Sequence, residues 1–213
     1  MAQTLDSRRY AGGAAPQIQA VTGLLTWSAL VVALVGLAGS LWLSIGMHLA
    51  VGSLAVDIGM NLKACPLCFY QRTFVMSILA VLVTGLIIAP KDGGRISLLA
   101  LPLATAGLGV ALFHVSLELR EKLDCPRGIF DWGTAPKQGL ALFAVLFCLL
   151  AVAVLRNWQQ GVWSWPAPLG AVVLGAVLAG ASCIANPPLP PTPKEPYTKA
   201  PDICRPPFPE SRQ

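Results

Sequence analysis

Six cysteines and two histidines carry most of the chemistry this 213-residue sequence could perform. Two of the cysteines stand three apart in Ala64-Cys65-Pro66-Leu67-Cys68-Phe69-Tyr70-Gln71-Arg72, ahead of an uncharged apolar run. That spacing can close a small, strained disulfide ring that is easily reduced. Where such a motif opens a helix, the unpaired N–H groups and the positive end of the dipole favour a thiolate. Pro66 suits a first helical turn, since its missing N–H costs nothing there. Arg72 falls one turn beyond Cys68 on the same face, and a fixed cation just inside a membrane needs a polar or anionic partner. Three other readings compete. No second pair of ligands has zinc-site spacing, and Phe69 stands where a c-type haem site requires His. A redox-active disulfide then ranks ahead of an inert structural one.

The elements that must position these residues follow from composition. Apolar residues make up 55% and charged residues only 12%, against about 25% charged in a soluble domain. Residues 10–56, 73–90, 96–117, 138–155 and 157–193 contain no Asp, Glu, Lys or Arg. A water-soluble globule could not cover its surface from so few charges. The net charge of +5 is scattered singly between apolar runs, so no basic patch for nucleic acid exists. An ordinary soluble enzyme, a nucleic-acid module and a disordered chain are all excluded.

A helix needs roughly 20 apolar residues to cross the hydrocarbon core. Five segments are expected to do so, at about 21–49, 69–89, 96–117, 138–155 and 167–185, with Pro or Gly at most boundaries. The first is too long for a signal-peptide core and is expected to be retained. By the positive-inside rule, Arg8, Arg9, Lys91, Arg95 and Arg156 point to the cytoplasm. The opposite side carries Lys63, Arg120, Lys122, Arg127 and Lys137, so the bias is not clean. Cysteine placement helps: with the N-terminus inside, Cys65, Cys68, Cys125 and Cys204 fall at the external face and Cys183 just below it. Disulfides persist in oxidising compartments. Cys148 is expected to be a buried apolar residue, His48 an interfacial one, and Trp158, Trp163 and Trp165 an interfacial belt. Asp57 and Lys63 read as ordinary loop charges. The Pro-rich tail, 187–213, is polyproline-like. At about 3.1 Å per residue it could carry Cys204 some 50 Å from residue 186, as a disordered end or as a tethered redox arm.

The octapeptide Cys65-Pro66-Leu67-Cys68-Phe69-Tyr70-Gln71-Arg72 resembles the Cys-x-x-Cys-x-Tyr-[Glu/Gln]-Arg signature of the disulfide bond formation protein B (DsbB) family. His114-Val115-Ser116-Leu117 resembles the family's His-Val-x-Leu. Asp124-Cys125 and the later Pro136-Lys137-Gln138 resemble its second external loop entering helix four. The resemblance covers about residues 20–156. It implies an all-α polytopic membrane bundle: a cytoplasmic segment 1–20, a four-helix core 21–156, here with an added fifth transmembrane helix at 157–186 and an external tail at 187–213. It further implies a thiol-disulfide:quinone oxidoreductase of the bacterial inner membrane that reoxidises a periplasmic DsbA-like thioredoxin-fold oxidase. The cofactor would be ubiquinone or menaquinone. Cys65 and Cys68 would be the dithiol that the quinone drains, with Cys68 nearest the ring, Arg72 holding a ring oxygen and His114 assisting. No metal is implied.

Two departures stand out. The family usually has two cysteines in its second external loop, and here Cys125 matches only the second of them. The added helix and tail supply candidates for the missing partner. Reach and bridge geometry favour Cys204 as the second catalytic member of the outer pair, with Cys183, or no second disulfide, left open. A vitamin K epoxide reductase-like enzyme is the runner-up, although its Cys-x-x-Cys lies at the end of a late helix. A non-enzymatic accessory subunit stapled by its disulfides is the remaining alternative.

Overall fold

A computed structural model describes residues 15–44, 47–51, 54–58, 60–129, 132–159, 161 and 164–208. Five helices run in chain order: α1 (Ala15–Ser44), α2 (Pro66–Ile88), α3 (Gly93–Leu119), α4 (Ala135–Gln159) and α5 (Pro166–Ile184). All five are long and apolar enough to cross a membrane, and the protein is a multi-pass helical bundle. Pro90 stops α2, because a residue before proline is pushed out of the helical region; Ala89 is accordingly extended, at φ −138° and ψ 67°. The α2–α3 turn is closed by the Asp92–Arg95 ion pair, 3.4 Å.

Helix α3 is central and packs against all four others. Its interface is built from small residues, among them Ala100, Ala104, Ala106 and Ala111. In lipid there is little hydrophobic drive between helices, so close backbone approach and dispersion do the work. Gly175 of α5 shows the consequence: a Cβ there would run into the carbonyl of Pro102 and the side chain of Thr105. Phe143, Leu146 and Leu150 of α4 meet Ile78 and Leu82 of α2 in the core. At the opposite end from the cysteines, the Thr26 hydroxyl lies 3.0 Å from Ser97 Oγ, and the Asn157 amide donates to Thr22 Oγ1 at 3.1 Å. Those contacts tie α1, α3 and α4 together.

Two expectations need correction. The first span does not run on to residue 49. Helix α1 ends at Ser44, and an antiparallel hairpin follows, β1 (Met47–Val51) with β2 (Leu54–Ile58), pairing Val51 with Leu54. Gly52-Ser53 is a two-residue hairpin signal in the sequence, and Met47 to Leu49 before it simply continue the apolar run. His48 pairs with Asp57 in the backbone register, and both side chains lie outside the described residues. Cys148 is exposed on the outside of the bundle instead of buried: a helix in lipid is apolar all round, so composition does not separate inward from outward faces. The described part of the tail, to residue 208, is bonded to the rest of the chain through Lys63–Asp202 and Asp124–Arg205 backbone hydrogen bonds. Trp158 and Trp165 stack with ring centroids 4.4 Å apart, while Trp163 lies outside the described residues.

Candidate functional site

Cys65 caps α2. Its backbone is extended (φ −70°, ψ 161°), Pro66 takes the first helical turn, and its sulfur accepts the Cys68 N–H at 3.3 Å. A side-chain acceptor at this position satisfies one of the helix's free donors. The two sulfurs stand 2.8 Å apart, so about 0.8 Å of closure makes a bond of ordinary length. A hydrogen bond from the Cys68 thiol pulls the Cys65 pKa down to about 5, against the effect of burial. The His114 ring and the Cys68 N–H act in the same direction.

The outer pair is supplied by distant parts of the chain. Cys125, in the α3–α4 loop, is joined by a disulfide to Cys204 of the tail. Cys183 is a free thiol, half-buried near the end of α5. The tail is fastened on both sides of Cys204. Asp124 and Arg205 exchange backbone hydrogen bonds of 2.7 and 3.0 Å, and the Lys63 N–H donates to the Asp202 carbonyl at 2.8 Å. The Lys63 ammonium adds an ion pair to Asp202 at 3.1 Å. Hydrogen bonding to Lys63 holds the Asp202 carboxyl below its usual range. Arg205 lies 3.6 Å over the Tyr197 ring. Lys63 therefore has a tail-anchoring position that its sequence context did not signal.

His114 is fully buried and meets both pairs. Its Nε2 lies 3.4 Å from Cys204 Sγ, 3.7 Å from Cys125 Sγ and 3.8 Å from Cys65 Sγ. Its Nδ1 lies 3.5 Å from Gln71 Nε2. Cys65, Cys68, His114 and Cys204 thus present ligand atoms within 4.8 Å of one another, a set that sequence spacing did not reveal. Cys204 is committed to its disulfide, however, and a metal needs thiolate sulfur, so this donor set does not fit a resident ion in the state described.

Beneath the sulfurs, a cavity of about 250 Å³ opens between α1, α2 and α4. Its wall includes Gly36, Ser40 and Ser44 of α1, Cys68, Gln71, Arg72 and Val75 of α2, and Gly139, Leu142 and Phe143 of α4. Cys204 and Ile129 lie at its outer end. Arg72 finds the polar partners its depth demands: Nε donates to Ser40 Oγ at 2.9 Å, and one terminal nitrogen donates to the Ser40 carbonyl at 3.0 Å and to Ser44 Oγ at 2.6 Å. His114 is absent from this wall and stands behind Cys65. Gln71 connects the two regions, lining the cavity and touching the imidazole. In the octapeptide Gln71 falls one turn from Cys68, and that spacing is the sequence signal for its place here. Gly139 leaves the room its amide occupies, since a Cβ there would come 2.8 Å from Gln71 Oε1.

A multi-pass bundle that gathers two cysteine pairs around one imidazole, above an apolar cavity, has the build of a membrane disulfide oxidoreductase. The protein-family model of disulfide bond formation protein DsbB matches residues 36–139. A "probable disulfide formation protein" of Chlamydia trachomatis serovar D is 32% identical over 104 residues, covering 44% of this chain and 75% of that protein. One of the same description from Chlamydia pneumoniae is 28% identical, with 44% and 74% covered. "Probable disulfide formation protein C" of Bacillus cereus is 37% identical over 68 residues, covering 32% of this chain and 47% of its own length. No solved structure matches the chain. The chain belongs to the DsbB family.

Proposed function

We propose that the protein reoxidises a DsbA-like thioredoxin-fold oxidase on the periplasmic side of the bacterial inner membrane and delivers the electrons to ubiquinone or menaquinone. One observation carries this reading. The partly buried Cys204, bonded to the buried Cys125, brings its sulfur within 4.8 Å of those of Cys65 and Cys68, and Cys68 stands on the cavity wall with Arg72. A quinone in that cavity supplies a two-electron, two-proton acceptor. The residues suit one: the wall is largely apolar, its volume is the scale of one substituted ring, and Arg72 brings a donor fork already oriented by Ser40 and Ser44.

Exposure sets the order of exchange. Cys125 and Cys65 are each only 5% exposed, so an incoming thiolate reaches the Cys204 sulfur. That attack forms a donor–Cys204 disulfide and expels Cys125 as thiolate. Cys125 then attacks Cys65, and Cys68 leaves as thiolate at the cavity. The donor's second thiol afterwards releases Cys204, which re-forms its bond to Cys125 and frees Cys65; Cys65 and Cys68 would then close again as the quinone takes up two electrons and two protons. The net change is one donor dithiol oxidised and one quinone reduced.

Anaerobic quinol formation by the purified full chain, driven by a reduced thioredoxin-fold dithiol protein, tests this reading. One quinol per dithiol is expected, falling to background in Cys65→Ala and Cys68→Ala. Quinol formation that persists in either variant would overturn it.

A further inference from the structure

The mechanism above leaves one buried group unused. Each exchange creates a thiolate on Cys125, Cys65 or Cys204, in a region where water is largely excluded. A buried charge without a partner is costly, and a poor leaving thiolate slows exchange. His114 Nε2 is within hydrogen-bonding reach of all three sulfurs, at 3.7, 3.8 and 3.4 Å respectively. These are ordinary lengths for N–H to sulfur, which is a large acceptor. The opposite ring nitrogen faces the Gln71 amide nitrogen at 3.5 Å. As placed, that amide donates to Nδ1, which leaves the proton of the neutral ring on Nε2, aimed at the sulfurs. The titratable groups facing the ring are those three cysteines, with Cys68 beside Cys65.

We propose that His114 is a catalytic residue of the exchange between the outer and inner disulfides, donating from Nε2 to whichever of Cys125, Cys65 and Cys204 is the thiolate at each step. The inference deepens the thiol–quinone reading and rests on it for the order of events. When the donor's thiolate bonds to Cys204, the electron pair of the broken bond goes to Cys125, and Nε2–H stabilises it. When Cys125 bonds to Cys65, the pair goes to Cys68, and the Nε2–H is released for the next thiolate. When Cys204 later returns to Cys125, Cys65 leaves as thiolate and takes the same hydrogen bond. No oxidant is consumed in these exchanges. The neutral ring keeps its proton throughout: it stabilises each thiolate by hydrogen bonding and transfers no proton to sulfur. His114 itself does not line the cavity, and the sulfurs its Nε2 meets are those of the exchange.

The transfer can be read without quinone. Fully oxidised full-length protein is mixed anaerobically with excess dithiothreitol, quenched in acid and mapped for Cys125–Cys65 bridges and for loss of the Cys65–Cys68 bond. His114→Ala is expected to slow this transfer about 100-fold, on the scale of one lost hydrogen-bond donor to a developing anion. His114→Gln, whose amide nitrogen can occupy the Nε2 position, is expected to recover part of the rate, and His114→Asn is not. Quinone affinity should be unchanged in all three. Wild-type transfer in His114→Ala, or equal rates in the Gln and Asn variants, would overturn the proposal.

Should the variants fail to form the Cys125–Cys204 bond, a second measurement keeps His114 in place. In a Cys65→Ser/Cys68→Ser chain, glutathione opens the outer bond and stops at a mixed disulfide on Cys204. Cys125 should then show thiolate ultraviolet absorbance at neutral pH, and a neutral thiol there would overturn the proposal. Failure of wild-type protein to form quinol would end the quinone reading while leaving both measurements interpretable.

Discussion

At the scale of single residues, the site works by placing each charge beside something that tolerates it. Cys65 is the clearest case, with its pKa lowered to about 5 by the Cys68 thiol first, and then by His114 and the helix N–H. The sign follows directly: the thiolate is the reactive form, present above that value and lost as pH falls through it. In reduced protein, the thiolate ultraviolet absorbance of Cys65 should therefore persist at neutral pH and fall away towards a midpoint of about 5. A midpoint near 8.5, the value of an ordinary thiol, would contradict the geometry. Arg72 gives a second expectation. Its fork spans Ser40 and Ser44, and a lysine ammonium cannot hold both while presenting a planar donor face. Arg72→Lys should weaken apparent quinone affinity by roughly 10-fold, on the scale of one charged hydrogen bond. Wild-type affinity in Arg72→Met would remove Arg72 from the quinone site.

At the scale of elements, the fifth helix is what allows this chain to complete an outer pair from a loop containing one cysteine. Helix α5 packs on α3 through Gly175 against Pro102 and Thr105, and the tail it launches returns to Asp124 and Lys63. Gly175→Leu should push α5 away at about 1–3 kcal/mol, the usual cost of overpacking. It should lower thermal stability in detergent and reduce the fraction of chains holding the Cys125–Cys204 bond. An unchanged melting temperature with full bond formation would show that α5 packing does not matter to the site. The five helices were legible in the sequence because lipid demands long apolar runs. The hairpin was not, because Met47 to Leu49 extend the apolar run of the first span and only Gly52-Ser53 signals a turn. Nor was the facing of Cys148, since apolar residues serve inward and outward faces alike.

At the scale of the whole molecule, the candidate site is a product of long-range contacts that local patterns record only in part. The octapeptide made Cys65, Cys68 and Arg72 readable, because their spacing on one helix fixes their relation. The convergence of His114, Cys125 and Cys204 on Cys65 joins four separate elements, and no local pattern encodes that. Sidedness belongs to this scale too. The expectation of an N-terminus inside, taken with five crossings, puts the tail outside, where oxidised cysteines persist. A Ser211→Cys chain in intact cells should react with a membrane-impermeant thiol reagent before permeabilisation. Labelling only afterwards would put the tail in the cytoplasm and sink the proposed exchange with an external oxidase.

The central claim is that two disulfides act in series, Cys125–Cys204 outside and Cys65–Cys68 at the cavity. Non-reducing peptide mapping of acid-quenched protein, at rest and during turnover, tests it most directly. At rest, quinone-oxidised protein should yield Cys125–Cys204 and Cys65–Cys68 peptides. During turnover, a transient Cys125–Cys65 peptide should appear and decay at the rate of quinol formation. Free thiols at both Cys125 and Cys204 in quinone-oxidised protein, with dithiol oxidation intact, would contradict the account and leave an enzyme with a single working disulfide.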